Sequence, residues 1–116
     1  MTTRQDPRVL PLRPPVFLIL LALSSGDRHG LGIADDVEHA TGGAVELGPG
    51  TLYRSLGEMV EAGLIRGVRA PEQDADPRRK YYRITAAGRA LLAAEARRLQ
   101  QLVGAARARN VLTDST

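Results

Sequence analysis

The sequence predicts a mainly α-helical fold with one small β-hairpin. Three observations carry that reading: apolar residues recur at helical spacing in successive stretches, glycines and prolines punctuate between them, and two short runs rich in β-branched and aromatic residues flank a polar loop at 70–79. With 116 residues the chain makes one domain whose modest core self-association would help to stabilise.

Residues 1–13 mix Pro7, Pro11, Arg4, Arg8 and Arg13 with little apolar periodicity and read as a flexible arm. The run 16–23 is apolar on every side; Pro14-Pro15 before it and Ser24-Ser25-Gly26 after it favour a helix. A helix apolar all round must be covered all round, so one face is expected on this chain's core and the other, with Phe17 and Leu20, on a second chain. Residues 26–30 form a turn. The next helix carries Leu31, Ile33, Val37 and Ala40 on one face and ends at Gly42-Gly43. Between 26 and 46 the local charge is −4, so this surface should point away from any polyanion.

A third helix follows a short link. Pro49 suits its first position and Gly63 the left-handed residue that stops it. Leu52, Leu56, Met59 and Val60 make its apolar stripe. Thr51, Arg54, Glu58 and Glu61 fall opposite, with Tyr53 and Ser55 on the flanks. Hydroxyls and a guanidinium near a helix N-terminus suit a duplex groove edged by phosphates, although an ordinary solvated face would look the same. Residues 64–69 and 80–84 then read as a hairpin of net charge +3 over 66–83, with acids Glu72, Asp74 and Asp76 at the tip. Arg78, Arg79 and Lys80, three consecutive cations on the return strand, favour a phosphate contact over a role in blocking edge aggregation. Thr85 can cap a last helix from about 86 to 109. Its seam of Leu92, Leu99, Val103 and Ala106 resembles a coiled-coil face, and a second copy of the chain is the expected cover. Residues 110–116 read as a disordered tail.

Net charge is +3, and all but Lys80 of the 16 basic residues are arginine, which suits bidentate phosphate and base-edge contacts. There is no cysteine, which removes disulfides, thiol nucleophiles and cysteine-ligated zinc. The longest apolar run, eight residues, falls far short of the roughly 20 that span a bilayer, so a soluble cytoplasmic protein without membrane contact is expected. His29 and His39 have no third ligand in pattern, and no nucleophile, phosphate loop or carboxylate pair stands out. No catalysis, metal site or cofactor is therefore expected.

Helix, helix, helix, hairpin and helix is the order of a winged helix-turn-helix, here over 14–84, with an appended dimerisation helix at 85–109. The chain also resembles the PadR family of bacterial transcriptional regulators, of the compact type with a single C-terminal helix. The resemblance rests on His29-Gly30-Leu31-Gly32-Ile33, Gly50-Thr51-Leu52-Tyr53 followed by Leu56, Glu61-Ala62-Gly63-Leu64-Ile65, and Arg79-Lys80-Tyr81-Tyr82-Arg83-Ile84-Thr85-Ala86-Ala87-Gly88. It implies a homodimer on a partly palindromic DNA operator, usually a repressor released by a small-molecule effector, here unidentified. By position it implies Thr51, Tyr53, Arg54 and Ser55 at the duplex and the wing cations on its backbone. The chain departs from the family pattern at Arg54, commonly proline, and at Leu31, commonly tyrosine. The rival reading is a winged helix that binds another protein instead of DNA. Such a module should lack cations beside the third helix and the wing, and here they are present.

Overall fold

The computed structural model describes residues 6–113. Its elements run α1 (Pro14–Leu23), β1 (Arg28–His29), α2 (Gly30–Ala40), α3 (Pro49–Glu61), β2 (Ile65–Val68), β3 (Tyr81–Ile84) and α4 (Ala86–Ala108). The architecture is mainly helical with one small antiparallel sheet, as the sequence predicts.

The core lies where α1, α2 and α3 converge on the sheet. Val16, Ile19, Leu20 and Leu23 of α1 meet Ile33 and Val37 of α2, Leu52, Leu56 and Met59 of α3, and Ile65 and Ile84 of the strands. Each fully buried Leu or Ile contributes about 1.5–3 kcal/mol, so the central α1 is the main source of cohesion. Helix ends follow the expected chemistry. Pro14 and Pro49 open α1 and α3. Gly63, at φ +77°, closes α3 by letting the Leu64 N–H reach the Met59 carbonyl at 2.9 Å. Thr85 caps α4, its hydroxyl oxygen accepting from the Gly88 N–H at 3.0 Å and donating to the Gly63 carbonyl at 2.7 Å. That one side chain ties the end of α3 to the start of α4.

Several details differ from the sequence expectation, among them Leu31 and Ala40, expected on the inner face of α2 but exposed. The turn at 26–30 contains a strand: Arg28 and His29 pair with Tyr82 and Tyr81, so β3 is the centre of a three-stranded sheet. Two residues carry no periodicity, which is why the strand escaped notice. On α3, Val60 is half exposed while Glu58 is buried, because Arg13 crosses to it at 3.4 Å. Leu20 faces inward and is 0% exposed within one chain, so it is not available to a second. The expected arm over 1–13 is anchored at its end. Leu12 is buried in the core, and its N–H donates to Glu95 at 2.8 Å; residues 1–5 of the arm lie outside the described residues, as do 114–116 of the expected tail.

The 23 residues of α4 span about 35 Å. Leu91 and Leu92 pack on the core, whereas Leu102 and Val103 are 56% and 37% exposed. The radius of gyration of 15.8 Å exceeds the roughly 13 Å of a compact chain this long, as expected if the far half of α4 projects from the rest.

Candidate nucleic-acid interface

The start of α3 presents Thr51, Tyr53 and Arg54 to solvent, and Arg54 has no hydrogen bond or ion pair to another described residue. Its guanidinium is free to reach an external acceptor. Ser55, expected beside them, is 6% exposed: one residue further round the helix, it turns toward the core next to Leu56 and drops out of the accessible set.

Tyr53, though 54% exposed, lays its hydroxyl end over the head of α2. A β-carbon on Gly30 would lie 2.7 Å from the Tyr53 hydroxyl oxygen, so only glycine at the head of α2 lets that ring settle there. Together with His29, Arg79, Lys80 and Tyr82 these two residues line a 240 Å³ cleft between α3 and the hairpin. Burial, and secondarily the neighbouring Tyr53, push the Tyr82 phenol up from its ordinary value. Lys80 crosses the sheet with its ammonium 5.6 Å from the Tyr82 ring centre, and its stem lies where a Gly67 side chain would stand.

The acidic hairpin tip folds back on itself. Asp74 accepts from the Asp76 N–H at 2.8 Å and from the Tyr81 hydroxyl, and these bonds, the tyrosine's first, hold its carboxyl below the usual range. Asp76 accepts the Arg78 N–H at 3.0 Å and lies 3.5 Å from the Arg78 guanidinium, while Asp74 stands 3.7 Å from that of Arg79. Arg83, counted among the wing cations by sequence, is bound to Asp27 at 2.7 Å. The basic excess of the hairpin is therefore partly neutralised within the chain. Arg78, Arg79 and Lys80 all remain exposed.

The structure brings Tyr53, Arg79 and Lys80 together around one cleft, with Thr51 and Arg54 on the adjoining exposed face of α3. It adds His29, which caps α2 by accepting the Gly32 N–H on Nδ1 at 3.2 Å and sits 3.4 Å from Arg79. Sequence reading gave His29 no part in this neighbourhood, since the pairing of β1 with β3 supplies it. The exposed acids Asp35 and Glu38 line a different depression, with His39, Gly42 and Gly43. Among the described residues no cluster of side chains could hold a metal ion, and no helix is long and apolar enough to cross a membrane.

The fold has many solved counterparts. A PadR family transcription regulator from hypervirulent Clostridium difficile is 28% identical, with a TM-score of 0.70 over 80% of this chain and 94% of that one. A transcriptional regulator from Clostridium thermocellum shares the fold at 24% identity and a TM-score of 0.67, covering 78% and 84% of the two chains. Bacillus subtilis PadR in complex with operator DNA matches at 23% identity and a TM-score of 0.61, over 72% of this chain and 46% of the longer one. No curated protein sequence matches. The model of the transcriptional regulator PadR-like family matches residues 19–94, from the middle of α1 into α4, and so takes in the whole interface described above. The chain belongs to the PadR-like family of transcriptional regulators.

Proposed function

We propose that this regulator is a homodimer that binds a twofold-symmetric DNA operator in the cytoplasm. One observation carries the reading: the exposed Thr51, Tyr53 and Arg54 of α3 stand beside a cleft bordered by Arg79 and Lys80, while Asp35 and Glu38 of α2 line another surface. A groove-sized helix flanked by cations fits the major groove, with the hairpin on the adjacent backbone. Residues 14–84 would then serve DNA binding and 85–109 dimerisation, with 1–13 and 110–116 flanking them. The open far half of α4, with Leu99, Leu102, Val103 and Ala106, supports the second copy, and Phe17, half-buried on α1, could adjoin it. Leu92 packs on its own core and contributes less than its place in the seam suggests.

In such a dimer the two α3 helices enter successive major grooves on one face of the duplex, roughly 34 Å apart. Repression, and its relief by a small molecule, is supported by family membership alone. Selection from a pool of randomised duplexes tests the proposal. It should enrich a sequence with twofold symmetry and half-site centres about 10 base pairs apart. Enrichment of no sequence, or of an isolated half-site, would overturn it.

A further inference from the structure

His29 has one ring nitrogen in use and the other aimed at a cation. Its Nδ1 accepts the Gly32 N–H at 3.2 Å, which leaves the ring proton on Nε2. That Nε2 lies 3.4 Å from the Arg79 guanidinium. In that tautomer the contact is donor to donor; in the other, Nε2 accepts from Arg79 and the cap of α2 is lost, so the ring answers only one of the two donors that approach it. Asp74 is the nearest acid to Arg79, but at 3.7 Å, and its two oxygens already accept the Asp76 N–H and the Tyr81 hydroxyl.

The arrangement is held in place. Tyr81 meets the His29 ring edge to face at 5.2 Å, in the register that pairs His29 with Tyr81 across β1 and β3. Behind Arg79, Asp74 holds the guanidinium near the ring by charge. Lys80 and the Tyr53 hydroxyl line the same cleft, and no carboxylate is among its lining residues. The group that answers such a set is a compact anion with several acceptor oxygens.

We infer that His29 and Arg79 together hold one backbone phosphate of the bound duplex, with His29 as a positioned uncharged donor and not merely the cap of α2. The inference rests on the DNA-binding reading above and deepens it by naming a phosphate site that spans the head of α2 and the wing. A phosphate seated there fixes the wing relative to α3, because Tyr53 and Gly30 close the same cleft.

His29→Ser separates the two roles, since serine still caps a helix but cannot reach the cleft. The probe is a labelled random-sequence duplex, titrated with the full chain over a range of salt concentrations. His29→Ser should bind about tenfold more weakly at every salt concentration, the effect of one hydrogen bond to a charged group, with its salt slope unchanged because no charge is lost. Arg79→Ala should weaken binding and flatten the slope by about 0.9 per protomer. The double variant should lose less than the product of the two single losses, as expected when both donors serve one phosphate.

Inorganic phosphate at constant ionic strength should not displace the duplex; displacement would assign the cleft to a free anion and overturn the inference. Parent-like affinity of His29→Ser, with the parent binding the duplex, overturns the phosphate site alone. A parent that binds no duplex overturns the proposed function, and the phosphate site with it.

Discussion

The Glu95 carboxylate on α4 accepts the backbone N–H of Leu12 at 2.8 Å, across 83 residues of sequence. Glu95 is 2% exposed and also receives the Arg98 guanidinium, at 3.0 Å for its second nitrogen. The Arg98 bond, against the opposing effect of burial and helped by the Leu12 N–H, holds the carboxyl below its ordinary value. A group depressed in the folded state adds stability above its unfolded value, near 4.3 for glutamate, and loses it as pH falls through the folded value. Glu95→Gln keeps an acceptor for Leu12 but gives up the charge. Its urea midpoint should fall below the parent's at neutral pH and converge on it in acid. A constant gap at all pH values would show that the charge plays no part.

Of the glycines, Gly88 sits in the tightest surroundings. A β-carbon there would stand 2.2 Å from the Leu64 carbonyl oxygen and 2.9 Å from the Ile84 side chain. The first contact is backbone and cannot swing aside. Gly88→Ala should therefore cost about 2–3 kcal/mol or more, because α4 must lift from the α3–β2 junction. Gly57, in the exposed middle of α3, has nothing within 4 Å of its missing β-carbon. Gly57→Ala should instead raise stability by roughly 0.5–1 kcal/mol through helix propensity. Denaturant unfolding of the two variants checks both signs.

The helices and hairpin were legible because proline, glycine and threonine mark their ends and the apolar spacing marks their inner faces. Legibility failed where a single long-range contact decided the outcome. Glu58 reads as solvent-facing until Arg13, 45 residues earlier, lies over it. Leu20 cannot be assigned to an inner or outer face in a run that is apolar all round, and packing alone put it inside. By sequence the wing tip carries Glu72, Asp74 and Asp76. Asp74 and Asp76 turn inward on Tyr81 and on the wing's own arginines, a geometry that charge counting does not contain. His29 belongs to the same class: its partners Tyr81 and Arg79 lie about 50 residues away, brought close by a two-residue strand.

The projecting half of α4 predicts the assembly state. Leu102 is more than half exposed within one chain, so Leu102→Asp should change the fold of that chain by no more than about 0.5 kcal/mol, as at most surface sites. At a seam between two copies the same aspartate is an unpaired charge without water. The variant should sediment as a monomer at micromolar concentration, keep its helical circular dichroism and bind duplex DNA poorly. A dimeric Leu102→Asp would place the contact between copies elsewhere than on this side of α4.

Arg54 differs from the wing cations in having no described partner, and that difference separates the roles expected of them. Arg78 and Arg79 are each drawn toward an acid and Lys80 over an aromatic ring, arrangements that suit gripping a uniform backbone from a fixed position. Arg54 has no partner among the described residues on the exposed face of α3, one residue after a tyrosine whose hydroxyl end lies close to Gly30. A bidentate contact from its guanidinium to guanine would be worth about 1–3 kcal/mol of discrimination, roughly tenfold or more in affinity ratio. Arg54→Ala should thus reduce the preference for the selected operator over random duplex by that factor. Arg78→Ala should weaken both duplexes alike. If Arg54→Ala keeps the parent's ratio, sequence is read by Thr51 or Tyr53, or by the shape of the duplex, and Arg54 serves only as one more backbone cation.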